Sequence, residues 1–169
     1  MNTGVQRSSA TPFGGATSTT PVGAASTGKT TSSKYMPMVM AMHDIAYVAT
    51  ATLSHLEDYA KKLVMAKKKS KQGMAYLHVY CPCPVGWKMP IDSSIQVCRT
   101  AVRTNYFPLW EVENGQYRMT QTVKKPKQVQ ALTGLIGKFK HLQDDDLAIL
   151  QQHVDKRFNI VKALCGMSA

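Results

Sequence analysis

Tyr76-Leu-His-Val-Tyr-Cys-Pro-Cys-Pro-Val-Gly-Trp87 is the part of the sequence that constrains the fold most strongly. Its first residues, Tyr76–Tyr80, form a short apolar run rich in β-formers, which predicts a buried strand. Two prolines and a glycine exclude a regular continuation, so the strand must give way to a loop at Cys81. In an α/β sheet, sites are built on loops that leave the carboxyl ends of strands. The simplest interpretation of this loop is a tight turn in which Trp87 fills the core beside a buried thiol.

The composition is that of a globular protein. Hydrophobic residues make up 44% of the 169 residues and charged residues 18%, and the sequence shows neither a membrane-spanning run nor a signal peptide. Four unevenly spaced cysteines do not form a secreted disulfide framework, so we expect reduced thiols and a cytoplasmic protein. The formal net charge of +11 leaves one alternative open, a basic module that binds nucleic acid or an acidic protein. Against nucleic acid, the lysine clusters lack interleaved aromatic residues.

Residues 1–34 are almost entirely Gly, Ser, Thr, Ala and Pro, which predicts an arm or loop without a core of its own. Within it, Gly23-Ala-Ala-Ser-Thr-Gly-Lys-Thr30 matches the phosphate-loop pattern GxxxxGK[ST]. That pattern binds phosphate only between a hydrophobic strand and a helix, and neither flank fits here. We therefore expect irregular backbone over this stretch and no helix starting at Lys29, because Pro21 and Pro37 bracket a run of weak helix formers.

Residues 35–122 predict a strand–helix–strand unit followed by a hairpin. A short helix begins near Pro37 and is followed by a buried strand at Ile45–Ala49 with a polar loop after it. A helix starting at about Leu56 then connects this strand to the strand at Tyr76–Tyr80. Short connections of this kind indicate a parallel pair with a crossover helix, so both strands should end at the same edge of the sheet.

A further helix is predicted after the loop of residues 81–88, which we call the cysteine loop. Asp92 or Ser93 can cap it, and Ile95, Cys98 and Val102 recur at helical spacing on one face. Cys98 is therefore predicted to be a small core residue. The histidines show no metal-ligand spacing with one another or with the cysteines.

The remaining elements complete a predicted α/β fold. Asn114-Gly115 is a strong hairpin signal between the strands predicted at Leu109–Glu113 and Gln116–Met119. Residues 123–169 are predicted to form a helical, basic extension whose last helix begins at Asp144, where acidic residues favour a helix N-terminus. The buried stripe of that helix is predicted to comprise Leu147, Leu150, Val154, Phe158 and Val161.

Several of these segments together resemble one protein family. They are Asn2-Thr-Gly4, Ser8-Ser-Ala-Thr-Pro12, Ile45-Ala-Tyr-Val-Ala-Thr-Ala51, His78–Trp87 with its Cys-Pro-x-Gly-Trp element, and Phe107-Pro-Leu-Trp-Glu-Val-Glu-Asn-Gly115. With them the chain resembles the C-terminal half of the β subunit of a 2-oxoacid:ferredoxin oxidoreductase, of the pyruvate:ferredoxin oxidoreductase type. The resemblance extends over nearly the whole chain. It implies part of a thiamin-diphosphate-binding fold with a parallel sheet and crossover helices.

The resemblance also implies roles for individual residues. Asn2 would line the active site near the thiazolium ring as a catalytic residue, and Thr3 and Gly4 would shape the adjoining cofactor-binding loop. Cys83, the cysteine of Cys-Pro-x-Gly-Trp, would be one ligand of a [4Fe–4S] cluster, whereas Cys81 would not be a ligand. The Gly-Asp-Gly element for Mg²⁺ and three more cluster cysteines would lie upstream. This implies a truncated or split subunit whose first methionine sits inside a motif.

The implied activity is the thiamin-dependent oxidative decarboxylation of a 2-oxoacid, such as pyruvate, to acyl-CoA, with electrons passing through the cluster. The implied partners are the other subunits, coenzyme A, the 2-oxoacid, and ferredoxin or flavodoxin, with neither nucleic acid nor a membrane. The resemblance makes residues 35–122 the C-terminal half of the cofactor-binding domain and 123–169 an extension. The arm of residues 1–34 would pack over the missing half or a partner subunit. The chain alone is expected to be inactive.

Overall fold

The computed structural model describes residues 4–167, in which helices pack around a mixed four-stranded sheet. The strands are β1 (Val22–Gly23), β2 (Ser26–Thr27), β3 (Tyr47–Thr52), β4 (Ala75–Tyr80), β5 (Trp110–Glu113) and β6 (Gln116–Met119). The helices are α1 (Met36–Ala41), α2 (Leu56–Lys69), α3 (Pro84–Trp87), α4 (Ser94–Arg103), α5 (Gln130–Thr133) and α6 (Asp144–Leu164), with 3₁₀ turns at Ile91–Ser93 and Gly137–Phe139. The sheet order is β4-β3-β5-β6, and β1 pairs with β2 separately.

The predicted parallel pair of strands is confirmed, although β3 lies a few residues later in the chain than predicted. β3 and β4 are adjacent and parallel, and Thr52 pairs with Tyr80 at their carboxyl ends. The prediction of Ile45–Ala49 followed by a polar loop was wrong, because the strand continues to Thr52. The threonine hydroxyls are satisfied inside the sheet, since Thr50 Oγ1 donates to Pro108 O at 2.8 Å and Thr52 Oγ1 donates to Tyr80 O at 3.2 Å. Threonine is also β-branched, which suits a strand.

The sheet is mixed, so the prediction of a parallel sheet was only partly correct. The hairpin is confirmed: Asn114 and Gly115 have φ of 51° and 74°, as a two-residue turn between β5 and β6 requires. The hairpin joins the sheet through β5, which pairs antiparallel with β3. A buried hydrogen bond from the Tyr47 hydroxyl to Glu111 Oε2, 2.6 Å long, links the two strands.

Most of the predicted helices are present. α1 has Pro37 in its first turn, and α4 buries Cys98 and Val102. Ile95 was predicted to be buried but is 44% exposed, because the buried face of the helix is centred between Ala101 and Cys98 and Ile95 lies to one side of it. In the stripe of α6, Leu150, Val154 and Val161 are buried, whereas Leu147 and Phe158 are only partly buried.

The C-terminal extension is less helical than predicted. The chain between β6 and α5 is irregular, so helical structure begins at Gln130 and not at Val123. The final helix begins at Asp144 as predicted, and its capping box involves Gln143 and Asp146.

The N-terminal arm packs against the C-terminal part of this same chain. Phe13 is buried, and its ring lies edge-on to that of His153 in α6 with centroids 5.5 Å apart. Thr27 O lies 3.0 Å from the His141 imidazole Nε2. This part of the arm therefore does not need a partner subunit as its support. The largest hydrophobic cluster includes Phe13, Trp87 and Leu150, so the arm, the middle and the C-terminal segment all contribute to one core.

The phosphate-loop match does not have phosphate-loop geometry. No helix starts at Lys29, as predicted, although the short β1–β2 ladder interrupts the irregular backbone expected there. The Lys29 ammonium is buried and donates to the carbonyl oxygens of Ser9, Thr11 and Ser32 at 3.2, 2.7 and 3.2 Å. This lysine is therefore engaged in holding the arm together.

Candidate functional site

The cysteine loop leaves the sheet at the end of β4, on the edge where β3 also ends. Cys83 directly precedes the one-turn helix α3, and its carbonyl accepts a hydrogen bond of 2.8 Å from the Trp87 N–H. Proline fits the first helical turn because it has no N–H to satisfy there, and Pro84 occupies this position. Lys88 then ends the turn in the left-handed conformation, with φ of 53°.

Trp87 anchors this loop in the core. Its side chain is fully buried, and its ring centroid lies 5.6 Å from that of Tyr80, the last residue of β4. The interpretation of the tryptophan as a core plug is therefore confirmed. Because the anchor lies four residues after Cys83 in a single helical turn, it fixes where the cysteine is presented.

The three cysteines nearest the loop differ in their surroundings. Cys81 is exposed, Cys83 is half-buried against the hydrophobic cluster, and Cys98 is fully buried. Burial raises the pKa of the Cys98 thiol, whose Sγ lies 3.7 Å from Tyr80 O, so Cys98 is a core thiol as predicted. The thiol of Cys83 is thus partly accessible and held in a fixed position, which suits a metal ligand in a site that another segment completes.

Gly4 contacts the cysteine loop and brings the start of the chain to it. A Cβ on Gly4 would lie 2.4 Å from Gly86 O, so only glycine fits this close approach of two backbones. Gly4 also has φ of 82°, in the region that favours glycine. Asn2 and Thr3, the other two residues assigned to the cofactor loop, lie outside the described residues. Of the assigned residues that are described, Gly4 and Cys83 are therefore brought to the same loop.

Lys138 is a residue of this site that the sequence analysis missed. It lies on the 3₁₀ turn Gly137–Phe139, is 1% exposed, and its Nζ would be 3.1 Å from a Cβ on Gly4. Burial lowers the pKa of its ammonium to about 8, and a negative charge on Cys83 would act in the opposite direction. The available signal was a single lysine within the otherwise uncharged Leu135-Ile-Gly-Lys-Phe139.

A cleft of about 510 Å³ lies between the arm and the cysteine loop. Its lining includes Gly4 and Gly86 together with the exposed apolar side chains of Val5, Val22 and Val85. Within residues 4–167, no group of three or more His, Cys, Asp or Glu side chains could hold a metal ion. A cluster bound here would therefore need ligands besides those described.

Part of the positive charge has a structural role. Lys69, in the lysine run that ends α2, is buried and forms an ion pair of 2.6 Å with Glu113 on β5.

His78 on β4 is half-buried, and its Nδ1 lies 3.0 Å from the Tyr76 hydroxyl. Burial lowers the pKa of His78 to about 4.

In the described part of the chain, no helix is both long and apolar enough to cross a membrane.

We expect Gly4→Ala to destabilise the contact between the arm and the cysteine loop. The new methyl group would meet Gly86 O and require a left-handed alanine, which together cost roughly 2 kcal/mol of unfolding free energy. Urea unfolding of the two variants measures this. Gly23→Ala is the matched control, because no atom lies within 4 Å of its added Cβ. Equal unfolding free energies of the two variants would contradict the close approach of the Gly4 and Gly86 backbones.

Comparison with known proteins shows which proteins this chain is similar to. No protein-family model matches the chain. It is 40% identical over 161 residues to pyruvate synthase subunit PorB of Methanocaldococcus jannaschii, which covers 95% of this chain and 53% of that subunit. It is 43% identical over 166 residues to the β subunit of NADH-dependent phenylglyoxylate dehydrogenase of Aromatoleum evansii, covering 97% and 37%. It is also 40% identical over 166 residues to ketoisovalerate oxidoreductase subunit VorB of Pyrococcus furiosus, covering 97% and 53%.

The similarity covers nearly all of this chain but only part of each relative. The chain spans about half the length of the PorB and VorB subunits and a little over a third of the phenylglyoxylate dehydrogenase subunit. Coverage of 95–97% means that the arm, the sheet and the C-terminal helices are all included in the match. Nearly the whole chain is therefore homologous to part of the β subunits of 2-oxoacid:ferredoxin oxidoreductases.

Proposed function

We propose that this chain acts as part of a β subunit in a 2-oxoacid:ferredoxin oxidoreductase. The complete enzyme would convert a 2-oxoacid and coenzyme A into acyl-CoA, CO₂, a proton and two electrons, and the electrons would reduce ferredoxin or flavodoxin. The printed names of the relatives cover pyruvate, ketoisovalerate and phenylglyoxylate enzymes at 40–43% identity. We therefore propose the 2-oxoacid class, of which pyruvate is one member.

The observation that carries the proposal is the contact of Gly4 with Gly86 in the cysteine loop. The resemblance assigns the first of these segments to the thiamin site and the second to the cluster. Their contact supports a shared site, with Asn2, Thr3 and Gly4 beside the thiamin diphosphate and its Mg²⁺, and Cys83 binding the cluster. When bound, thiamin diphosphate supplies carbanion stabilisation for decarboxylation and the cluster supplies one-electron transfer.

The donor set near Cys83 fits a site completed by another segment. A [4Fe–4S] cluster takes four thiolates, and this loop offers one half-buried cysteine beside a buried cation. In this site the chain's own residues would fix and shield the thiolate, since Trp87 holds the loop and Gly4 closes one side. The uncovered Val5, Val22 and Val85 would be covered by the remainder of the subunit.

We expect the isolated chain to bind neither a [4Fe–4S] cluster nor thiamin diphosphate tightly. Residues 4–167 offer Cys83 as a ligand but no group of three or more cysteine, histidine or acidic side chains that could hold a metal, whereas a cluster requires four thiolates. Anaerobic reconstitution with iron and sulfide, followed by iron analysis and visible absorbance, measures the cluster. Calorimetric titration with thiamin diphosphate and Mg²⁺ measures the cofactor.

The complete subunit, treated identically, is the positive control and should retain the cluster. It should also support reduction of an electron acceptor that depends on a 2-oxoacid and coenzyme A. A stoichiometric [4Fe–4S] absorbance on the isolated chain would contradict the shared site. A complete subunit without a cluster would contradict the proposed function itself.

A further inference from the structure

Lys138 differs from the other buried lysines of this chain. Lys29 donates to three backbone carbonyls, Lys62 donates to Asp58 and to Thr50 O, and Lys69 pairs with Glu113. The Lys138 ammonium is equally buried, yet no atom of the described chain accepts a hydrogen bond from it. An unpaired buried ammonium is strongly unfavourable, so a fold tolerates one where an anion completes the site.

The position of the ammonium indicates where that anion lies. The Lys138 side chain passes Gly15, whose added Cβ would be 3.5 Å from Cε, and it ends beside Gly4 and the Gly86 backbone. The N–H of the preceding residue, Gly137, donates to Lys88 O at 3.2 Å, which ties the 3₁₀ turn to the end of the cysteine loop. The ammonium thus lies against the same loop that presents Cys83.

The anion that best fits this position is an iron–sulfur cluster with Cys83 as one of its ligands. The ammonium lies against the loop that presents Cys83, and a negative charge on the Cys83 sulfur would raise its pKa against the effect of burial. A cluster held by cysteine thiolates extends that negative charge, and its potential depends on net charge, hydrogen bonds and solvent exposure. A cation in a dry site interacts strongly because screening by water is weak.

We propose that Lys138 is the buried cation that balances the charge of the cluster bound at Cys83 and raises its reduction potential. The inference rests on the proposed function, because it requires the cluster to be bound at this loop. Lys138 would not bind the cluster. Its positive charge would change the reduction potential of the cluster through the electric field. Reduction adds negative charge to the cluster, so a nearby ammonium favours the reduced form.

The test compares three variants of the complete subunit. Lys138→Met removes the charge with little change of shape, Lys138→Arg keeps the charge, and Lys140→Met is the control because Lys140 is exposed on the next turn. Iron and sulfide analysis measures cluster content, and an anaerobic redox titration monitored by electron paramagnetic resonance measures the potential. Lys138→Met should keep the cluster at a lower potential, whereas Lys138→Arg and Lys140→Met should remain near the wild type.

The outcomes separate this inference from the proposed function. A wild-type subunit without a cluster overturns the proposed function. A cluster whose potential is unchanged in Lys138→Met overturns the role of Lys138 alone, as does an equal shift in Lys138→Arg. A weaker affinity for thiamin diphosphate without a shift in potential would assign the ammonium to the diphosphate and also overturn the inference.

A second measurement applies if Lys138→Met fails to assemble a cluster. Without the cluster the ammonium has no hydrogen-bond acceptor among residues 4–167, so its removal should raise the free energy of urea unfolding of the cluster-free protein. Lys140→Met should leave that free energy unchanged. A cluster-free Lys138→Met protein less stable than wild type would mean that the ammonium already has its partner within the protein, which overturns the proposal.

Discussion

Replacing Cys83 by alanine is expected to abolish the [4Fe–4S] cluster of the complete subunit and, with it, 2-oxoacid oxidation. Removing one of four thiolates opens the cluster to solvent and to loss of iron, so bound iron should fall by roughly tenfold or more. Cys83 is only half-buried and the substitution removes a single sulfur, so the subunit should still fold. Iron and sulfide per subunit, with circular dichroism as the check on folding, measure the result.

Cys81→Ala is the matched control for this prediction. Cys81 lies two residues before Cys83 in the same loop, but its side chain is exposed and its Sγ makes only a long contact of 3.8 Å with Pro82 O. This variant should keep the cluster and the activity. Loss of the cluster in Cys81→Ala together with its retention in Cys83→Ala would show that the ligand has been assigned to the wrong cysteine.

Trp87→Ala should cause the largest loss of stability of any substitution in the cysteine loop. The side chain is fully buried in the main cluster and packs against Tyr80. Truncation of a buried tryptophan to alanine leaves a cavity and typically costs about 3–5 kcal/mol. Urea unfolding of the chain, followed by far-ultraviolet circular dichroism, gives the change in unfolding free energy.

Val85→Ala is the control because Val85 lies on the same turn and is 87% exposed. Its effect should remain within about 0.5 kcal/mol, as for most surface substitutions. In the complete subunit, Trp87→Ala should also lower cluster content, since the loop that presents Cys83 loses its anchor. A cost for Trp87→Ala no larger than that for Val85→Ala would contradict the anchoring role.

The elements that were predicted correctly are those specified by local sequence. The hairpin followed from Asn114-Gly115, whose conformation suits a tight turn, and the last helix followed from its acidic start at Asp144. The order of strands did not follow, because it depends on contacts between distant residues. The hydrogen bond from Tyr47 to Glu111 joins residues 64 positions apart, and no local pattern specifies that pairing. The end of β3 was missed because Thr50 resembles a loop residue until its partners are known.

The candidate site was partly predictable for the same reason. The loop was predicted from its prolines and glycine, and its position after β4 is confirmed. Within it, Cys83 was singled out only by the resemblance to the family. Its assignment as a cluster ligand remains a prediction. Lys138 was missed because one lysine in an uncharged segment is a weak signal. A single lysine is normally solvent-exposed, and only tertiary packing shows that this one is buried.

The position of β4 at the edge of the sheet affects how the chain behaves when produced alone. Among the described residues no strand pairs with its outer side, so a row of backbone N–H and C=O groups lacks strand partners there. The strand, Ala-Tyr-Leu-His-Val-Tyr, is six residues long and contains no proline, glycine or formal charge, which is the signature of an amyloid-forming segment. Two copies of the chain can therefore join edge to edge and seed fibrils. Production at low protein concentration guards against this aggregation.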